Sequence, residues 1–225
     1  METASHIALH LGSLVITRTV VTTWGIMILM AVTSWLIGRR LGPDPGMLQT
    51  AAEGVVTAIA DTISAVIPDQ WRRVFPFVAT IWIYIGLANL SSLVPGVHAP
   101  TGDLAATAAL AVVTFLSVHW FGIRIAGMRK YFRHYLTPSP ILLPFHLIGE
   151  LTRTLALAIR LFGNMMSLEM AAMLVLLVAG LLAPVPILML HIVEALVQAY
   201  IFGMLALVYI AGGIHFTGSD RNHGT

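Results

Sequence analysis

Apolar residues fall into long runs along this chain, and polar residues gather in the short gaps between them. The first run, about Val20 to Ile37, ends at Arg39-Arg40, and Leu41-Gly42-Pro43-Asp44-Pro45-Gly46 then breaks the helix. Met47 to Ile67 differs, because Glu53, Thr57 and Asp61 interrupt it. That spacing suits an amphipathic helix lying near a membrane interface, with a poor span as the alternative. Pro68-Asp69-Gln70-Trp71-Arg72-Arg73 follows and sets a tryptophan beside two arginines, as at a bilayer surface. Further spans are predicted over 75–94 and 104–123, and the loop from Pro95 to Asp103 between them carries no lysine or arginine. The basic stretch from Arg124 to Pro140 precedes two long helices, about Ile141 to Leu182 and about Pro186 to Ile214. Gly180, Pro184 and Pro186 argue for a hairpin tip near Leu182 to Val185, rather than one span from Met170 to Leu190.

The expected fold is therefore an all-α polytopic membrane protein with one membrane domain over 1–225. About five transmembrane helices are expected. Segment 1–40 holds the N-terminal residues and first span, 47–67 is the interfacial helix, 141–214 is the terminal hairpin, and 215–225 is a polar tail. Composition agrees: only 10% of residues are charged and 58% are hydrophobic, where soluble domains carry about 25% charged residues. No basic stripe with interleaved aromatics exists, so nucleic acid is not an expected partner. The chain has no cysteine, which removes disulfides and thiol chemistry. Met1-Glu2-Thr3-Ala4-Ser5-His6 lacks the positive n-region of a cleaved signal, so the first hydrophobic helix is expected to act as its own insertion signal. With the N-terminus outside, Arg39, Arg40, Arg72, Arg73, Arg124, Arg129, Lys130, Arg133 and Arg221 all fall on the inner side and Arg18 alone falls outside. The positive-inside rule favours that orientation, with a cytoplasmic C-terminus.

Arg160 stands out against this background, since it lies in the apolar stretch Leu155-Ala156-Leu157-Ala158-Ile159-Arg160-Leu161-Phe162-Gly163-Asn164-Met165-Met166. A guanidinium stays charged at physiological pH and costs about 2.5–3.5 kcal/mol at bilayer depth on insertion scales. At about 100° per residue, Arg153 and Ser167 fall about 20° from Arg160, His146 and Asn164 about 40°, and Glu150 about 80°. These residues make one polar stripe on an otherwise apolar helix, which must face a partner or a wet cavity. Glu169 falls about 180° around and should open onto a different environment. On the last helix, His191, Glu194 and Gln198 share a face. A titratable group on each side of a fixed cation points to a proton path interrupted by a charge.

Arg160-Leu161-Phe162-Gly163-Asn164-Met165, with Glu169 nine residues after the arginine, resembles the a subunit of F-type ATP synthases. His191, seven residues before Gln198-Ala199-Tyr200-Ile201-Phe202, supports the resemblance independently, and Arg153 suits it. The order of elements also fits along most of the chain. The resemblance implies a multi-pass subunit in the inner membrane of a bacterium, packed beside a rotating c-subunit ring and contacting peripheral stalk b subunits. It implies two aqueous half-channels that carry H+ or Na+ to the ring. Arg160 would draw the ring carboxylate and block direct passage, with Asn164, Glu169, His191 and Gln198 joining it. Gln198 would sit opposite Arg160 and orient it. Many members of that family carry an acid at the His191 position and a histidine just before the Glu169 position; here those places hold His191 and Leu168. Glu194 matches no family position, and a relay through His191 and Glu194 together is expected. His146 and Glu150 read as rim residues, and Arg153 and Ser167 as supporting polar positions.

No enzyme of its own is expected, and no cofactor or metal. His191-x-x-Glu194 lacks the second copy of a carboxylate–histidine metal site. His-Glu-x-x-His, Gly-x-Ser-x-Gly and Walker-type loops are all absent. The competing reading is an autonomous secondary transporter with Arg160 in an anion-binding site; a purely structural membrane subunit is a third. The choice between H+ and Na+ stays open.

Overall fold

The computed structural model describes residues 7–11, 14–39, 46–94, 97–128, 143–179 and 185–215. Six helices dominate them: α1 (Arg18–Arg39), α2 (Met47–Val66), α3 (Trp71–Leu90), α4 (Leu104–Ala126), α5 (Leu143–Ala179) and α6 (Val185–His215). Five are long and apolar enough to cross a membrane, and α2 is not among them. The expected helical membrane fold with a terminal pair of long helices is therefore present. The expected hairpin tip, most of the basic stretch and the polar tail lie outside the described residues.

The structure adds one element that the hydrophobic pattern did not reveal. Strands β1 (Ile7–Leu11) and β2 (Leu14–Thr17) form an antiparallel hairpin ahead of α1, pairing Leu9 with Ile16 and Leu11 with Leu14. Val15, Ile16 and Thr17 are β-branched and suit a pleated strand. A two-stranded ribbon is marginal alone, and here it lies against α1.

Local chemistry sets several helix ends. The Asp103 side chain caps α4, its Oδ1 accepting from the Ala105 N–H at 2.9 Å. Gly127 ends the same helix with φ +86°, a conformation that residues bearing a Cβ adopt at a cost. Trp71, Arg72 and Arg73 form the first turn of α3 rather than a loop before it. Pro68, just upstream, marks the turn that lets α3 start there. Two short 3-10 turns, Ser91–Leu93 and Pro100–Gly102, flank the loop from α3 to α4.

Packing falls into two layers. In the first, Ile59, Ile63 and Ile67 of the α2 segment meet Val74 and Val78 of α3 and Leu207, Ile210 and Ile214 of α6. Their i, i+4, i+8 spacing gives α2 one apolar stripe, while Glu53 and Asp61 stay exposed. In the second layer Ile81 and Ile85 of α3, Ala111 of α4, Leu157, Ala158 and Leu161 of α5, and Ala199 and Phe202 of α6 pack together. The most extensive helix contacts are α3 with α6 and α4 with α5. Between membrane helices such contacts stabilise by close van der Waals packing rather than by loss of water.

An aromatic–cation belt marks one end of the bundle. The guanidinium of Arg39 lies 3.8 Å from the Trp35 ring centroid, that of Arg72 5.4 Å from Trp71, and that of Arg124 6.0 Å from Trp120. These pairs sit at the end of α1, the start of α3 and the end of α4, which share one side when successive spans alternate in direction. Tryptophan and arginine gather in this way at headgroup level.

Gly203 of α6 lies against Trp82 of α3: a Cβ there would run into the Trp82 ring. Gly203→Ala is expected to lower stability in detergent unfolding by about 1–3 kcal/mol, the usual cost of overpacking. Gly38→Ala, where a Cβ meets open space, should cost nothing measurable. Equal midpoints for the two variants would remove Gly203 from the α3–α6 contact.

Candidate functional site: the polar positions of the last two helices

Helix α5 has 37 residues, a length of about 55 Å at 1.5 Å per residue. Its inner face is apolar, with Leu157, Ala158, Leu161 and Met165 all buried. Arg160 points away from that face and is exposed. Among the described residues its guanidinium makes no hydrogen bond or ion pair, and the close acid–base contact there joins His119 and Glu150. The α5 surface around it is greasy: Leu155 is 52% exposed and Ile159 61% exposed. A permanent charge thus stands on an apolar surface without a counter-ion from the described part of its own chain.

Asn164, one turn further on, reaches the other way. Its Nδ2 donates to Gln198 Oε1 at 2.8 Å and ties α5 to α6. Gln198 is 2% exposed and Asn164 half-buried, so the bond is largely shielded from solvent. The Gln198 Nε2 is buried without a hydrogen-bond partner. Gln198 was expected opposite Arg160; its carbonyl is instead held by Asn164, and no bond joins Gln198 to the guanidinium.

The second polar group lies where α6 passes the end of α3. His191 is 6% exposed, and its Nε2 is 2.6 Å from Ser92 Oγ. Asn89 is fully buried one turn before Ser92, and its Nδ2 donates to the Ala195 carbonyl at 3.3 Å. The Asn89 Oδ1 has no hydrogen-bond partner. Glu194 is half-buried on the helix that carries His191. Glu169 is exposed and lies beside the Pro100–Gly102 turn, its Oε2 3.6 Å from where a Gly102 Cβ would stand. Thr101 in that turn is fully buried with an unpartnered Oγ1. No described hydrogen bond links Glu169, His191 and Glu194 to one another.

The other stripe positions divide. Ser167 and Arg153 are exposed, and the Arg153 guanidinium lies 5.6 Å from the Tyr209 ring centroid of α6. Glu150 turns to α4, where its Oε2 is 3.3 Å from His119 Nε2. His146 lies within α5, but its side chain is outside the described residues. Among the described residues no three His, Asp or Glu side chains cluster closely enough to hold a metal ion.

Four residues of this arrangement escaped the sequence reading: Asn89, Ser92, His119 and Tyr209. Asn89 and Ser92 sit where a span ends, and there amide and hydroxyl side chains pass for helix-terminal groups. His119 is a lone histidine in an apolar run, which commonly bonds a carbonyl and nothing more. Only helix pairing assigns these residues partners.

The Asn164–Gln198 contact yields a direct check. A double-mutant cycle with Asn164→Ala and Gln198→Ala, read by detergent unfolding of the purified protein, should give a coupling of about 0.6 kcal/mol and under about 1.7, the range for hydrogen bonds between membrane helices. Strictly additive effects would mean that the two amides do not bond.

The family model described as ATP synthase A chain matches residues 20–211. An ATP synthase subunit a 2 from Pelobacter propionicus is 69% identical, covering 95% of this chain and 93% of the relative. An ATP synthase subunit a 1 from Hahella chejuensis is 60% identical over 93% and 89% of the two chains. An ATP synthase subunit a from Legionella pneumophila is 55% identical over 93% and 92%. With five apolar helices of spanning length and a match that runs from the first span into the last, the chain belongs to the ATP synthase A chain family of multi-pass bacterial membrane proteins.

Proposed function

We infer that this chain is the ion-translocating a subunit of an F-type ATP synthase, standing beside a ring of c subunits that each carry a membrane-buried carboxylate. The observation that carries this reading is the exposed Arg160 on the apolar surface of α5, with no counter-ion among the described residues. Its counter-charge then comes from another chain that moves past this face. A carboxylate surrounded by lipid is held neutral, whereas beside a guanidinium it ionises. Each ring site approaching Arg160 therefore gives up its H+ or Na+, and each site leaving must take one up again. Because a guanidinium keeps its proton, Arg160 passes no ion along, and leakage between the two half-channels is blocked. Flow through them then requires rotation, which couples it to ATP synthesis or hydrolysis on other subunits.

Positions along α5 support two separate paths. Glu169 lies nine residues beyond Arg160, about 14 Å along the axis, and Glu150 lies ten residues before it, about 15 Å. Glu169, with His191 and Ser92 near the end of α3, lines the path on the side away from the Arg–Trp belt; Glu194 joins His191 there. By the positive-inside rule the belt faces the cytoplasm and the N-terminus lies outside. Asn164 and Gln198 hold α5 and α6 in register beside the arginine. The chain itself binds no nucleotide and is joined to the peripheral stalk b subunits. An autonomous carrier explains the charge less well, since an anion site is expected to be enclosed and Arg160 is exposed.

Arg160→Ala tests the reading in the assembled complex. A unit pair at 4 Å is worth about 4 kcal/mol at an effective dielectric of ~20, so ATP-linked ion transport should fall on the order of 100- to 1,000-fold while the complex still assembles. Arg160→Lys should recover only part of it, lacking the planar fork. Undiminished coupled transport in Arg160→Ala would refute the role, and uptake of an anionic substrate by the isolated chain would favour a carrier.

A further inference from the structure

His119 and Glu150 form a pair that the Arg160 mechanism does not use. His119 lies on α4 seven residues before its end at Ala126, and Glu150 lies on α5 seven residues after its start at Leu143. Both are about 10 Å from the same end of the bundle, next to the Trp120–Arg124 pair of the belt. Their closest atoms, His119 Nε2 and Glu150 Oε2, are 3.3 Å apart, and the side chains are 28% and 21% exposed. The pair is thus neither sealed in the core nor free in solvent.

The other ring nitrogen fixes what the contact can be. His119 Nδ1 is 3.0 Å from the Phe115 carbonyl oxygen. A carbonyl only accepts, so Nδ1 carries the hydrogen. In a neutral ring Nε2 is then a bare lone pair, and an ionised Glu150 would face it with another lone pair. One additional proton between Nε2 and Oε2 removes that clash, whether it rides on the ring or on the carboxyl. A small side-chain rotation brings the two atoms to hydrogen-bond length. His119 and Glu150 each have a further partner besides one another, and the described charged and titratable groups on the flanking helices include Tyr209, Arg153 and Arg124. Tyr209 on α6 carries the Arg153 guanidinium over its ring, and Arg124 on α4 lies over Trp120. His146 precedes Glu150 by one turn of α5.

We propose that His119 and Glu150 share one proton and act as the proton-exchange pair of the half-channel that opens at the belt end, between α4 and α5. This rests on the ATP synthase reading and names residues for one of its two paths. The exchange balances simply. The pair passes its shared proton toward the ring side, leaving neutral His119 with a hydrogen on Nδ1 and an ionised Glu150. It regains a proton from water at the belt end, and the reverse order serves the reverse flow. Glu150 then has a transport role instead of standing as a rim residue.

The test uses the assembled ATP synthase in inside-out vesicles, with ATP-driven acidification followed from about pH 6 to about pH 9, across and above the ordinary histidine range. Glu150→Gln and His119→Gln should each slow pumping about tenfold or more, and the loss should deepen as pH rises and free protons grow scarce. The exchanged double variant, His119→Glu with Glu150→His, should recover a large part of the rate. If Glu150→Gln fails to assemble, Glu150→Asp is measured instead, and a steeper pH profile is again expected. Unchanged pumping, a loss equal at every pH, or no recovery in an assembled exchanged variant overturns the proposal. Transport of Na+ without acidification also overturns it and leaves Arg160 untouched. Arg160→Ala in the same vesicles separates the two ideas: coupled pumping there would defeat the functional reading itself, whereas uncoupling there with flat Glu150 profiles would defeat the pair alone.

Discussion

A fixed positive charge on a lipid-depth surface is the constraint around which this molecule is arranged. Arg160 cannot shed its proton, and it stands exposed between apolar neighbours with no described counter-ion. Burying it against α6 would have demanded a partner acid and a dry salt bridge. The buried side of α5 is instead given to Leu157, Ala158, Leu161 and Met165, and the neutral Asn164–Gln198 bond ties it to α6 near the arginine. A neutral amide pair holds the hairpin together without competing for the guanidinium's charge.

Rigidity behind the arginine comes from close helix packing. Small residues make it possible: Ala199 and Gly203 of α6 lie against Gly86 and Trp82 of α3. Helix α2 braces the same two helices at the belt end through its isoleucine stripe. Among the described residues no acid, histidine, lysine or arginine is part of the buried apolar clusters. His191 with Ser92 sits toward one end, and His119 with Glu150 toward the other. The Arg160 guanidinium lies between them along the bundle, an arrangement that suits two separate ion paths.

Much of this was legible in the sequence, for physical reasons that differ from element to element. Apolar runs of spanning length give transmembrane helices because lipid forces backbone groups to bond internally, so the number and kind of helices could be read directly. The stripe on α5 followed from the helical period, and the exposed positions of Arg153, Arg160 and Ser167 share one face as that period requires. The period could not tell which neighbour each flank would meet. Glu150 turned to His119 on α4, and Gln198 to Asn164 rather than to Arg160. Ser92 joined His191 across 99 residues of sequence. Such pairs depend on the register between helices, to which no single periodic pattern is sensitive. The β1–β2 hairpin was missed because its short strands precede a stronger helical signal.

The central claim is that the Arg160 face of α5 meets a moving carboxylate of another chain. The absence of native cysteine allows a clean measurement. A single cysteine placed at exposed Ile159 is paired with one introduced beside the ring carboxylate, and disulfide formation is followed in the assembled complex. The account predicts cross-linking at Ile159 that halts ATP-driven rotation and is reversed by reductant. Cross-linking at exposed Ile28 of α1 instead, with none at Ile159, would contradict it.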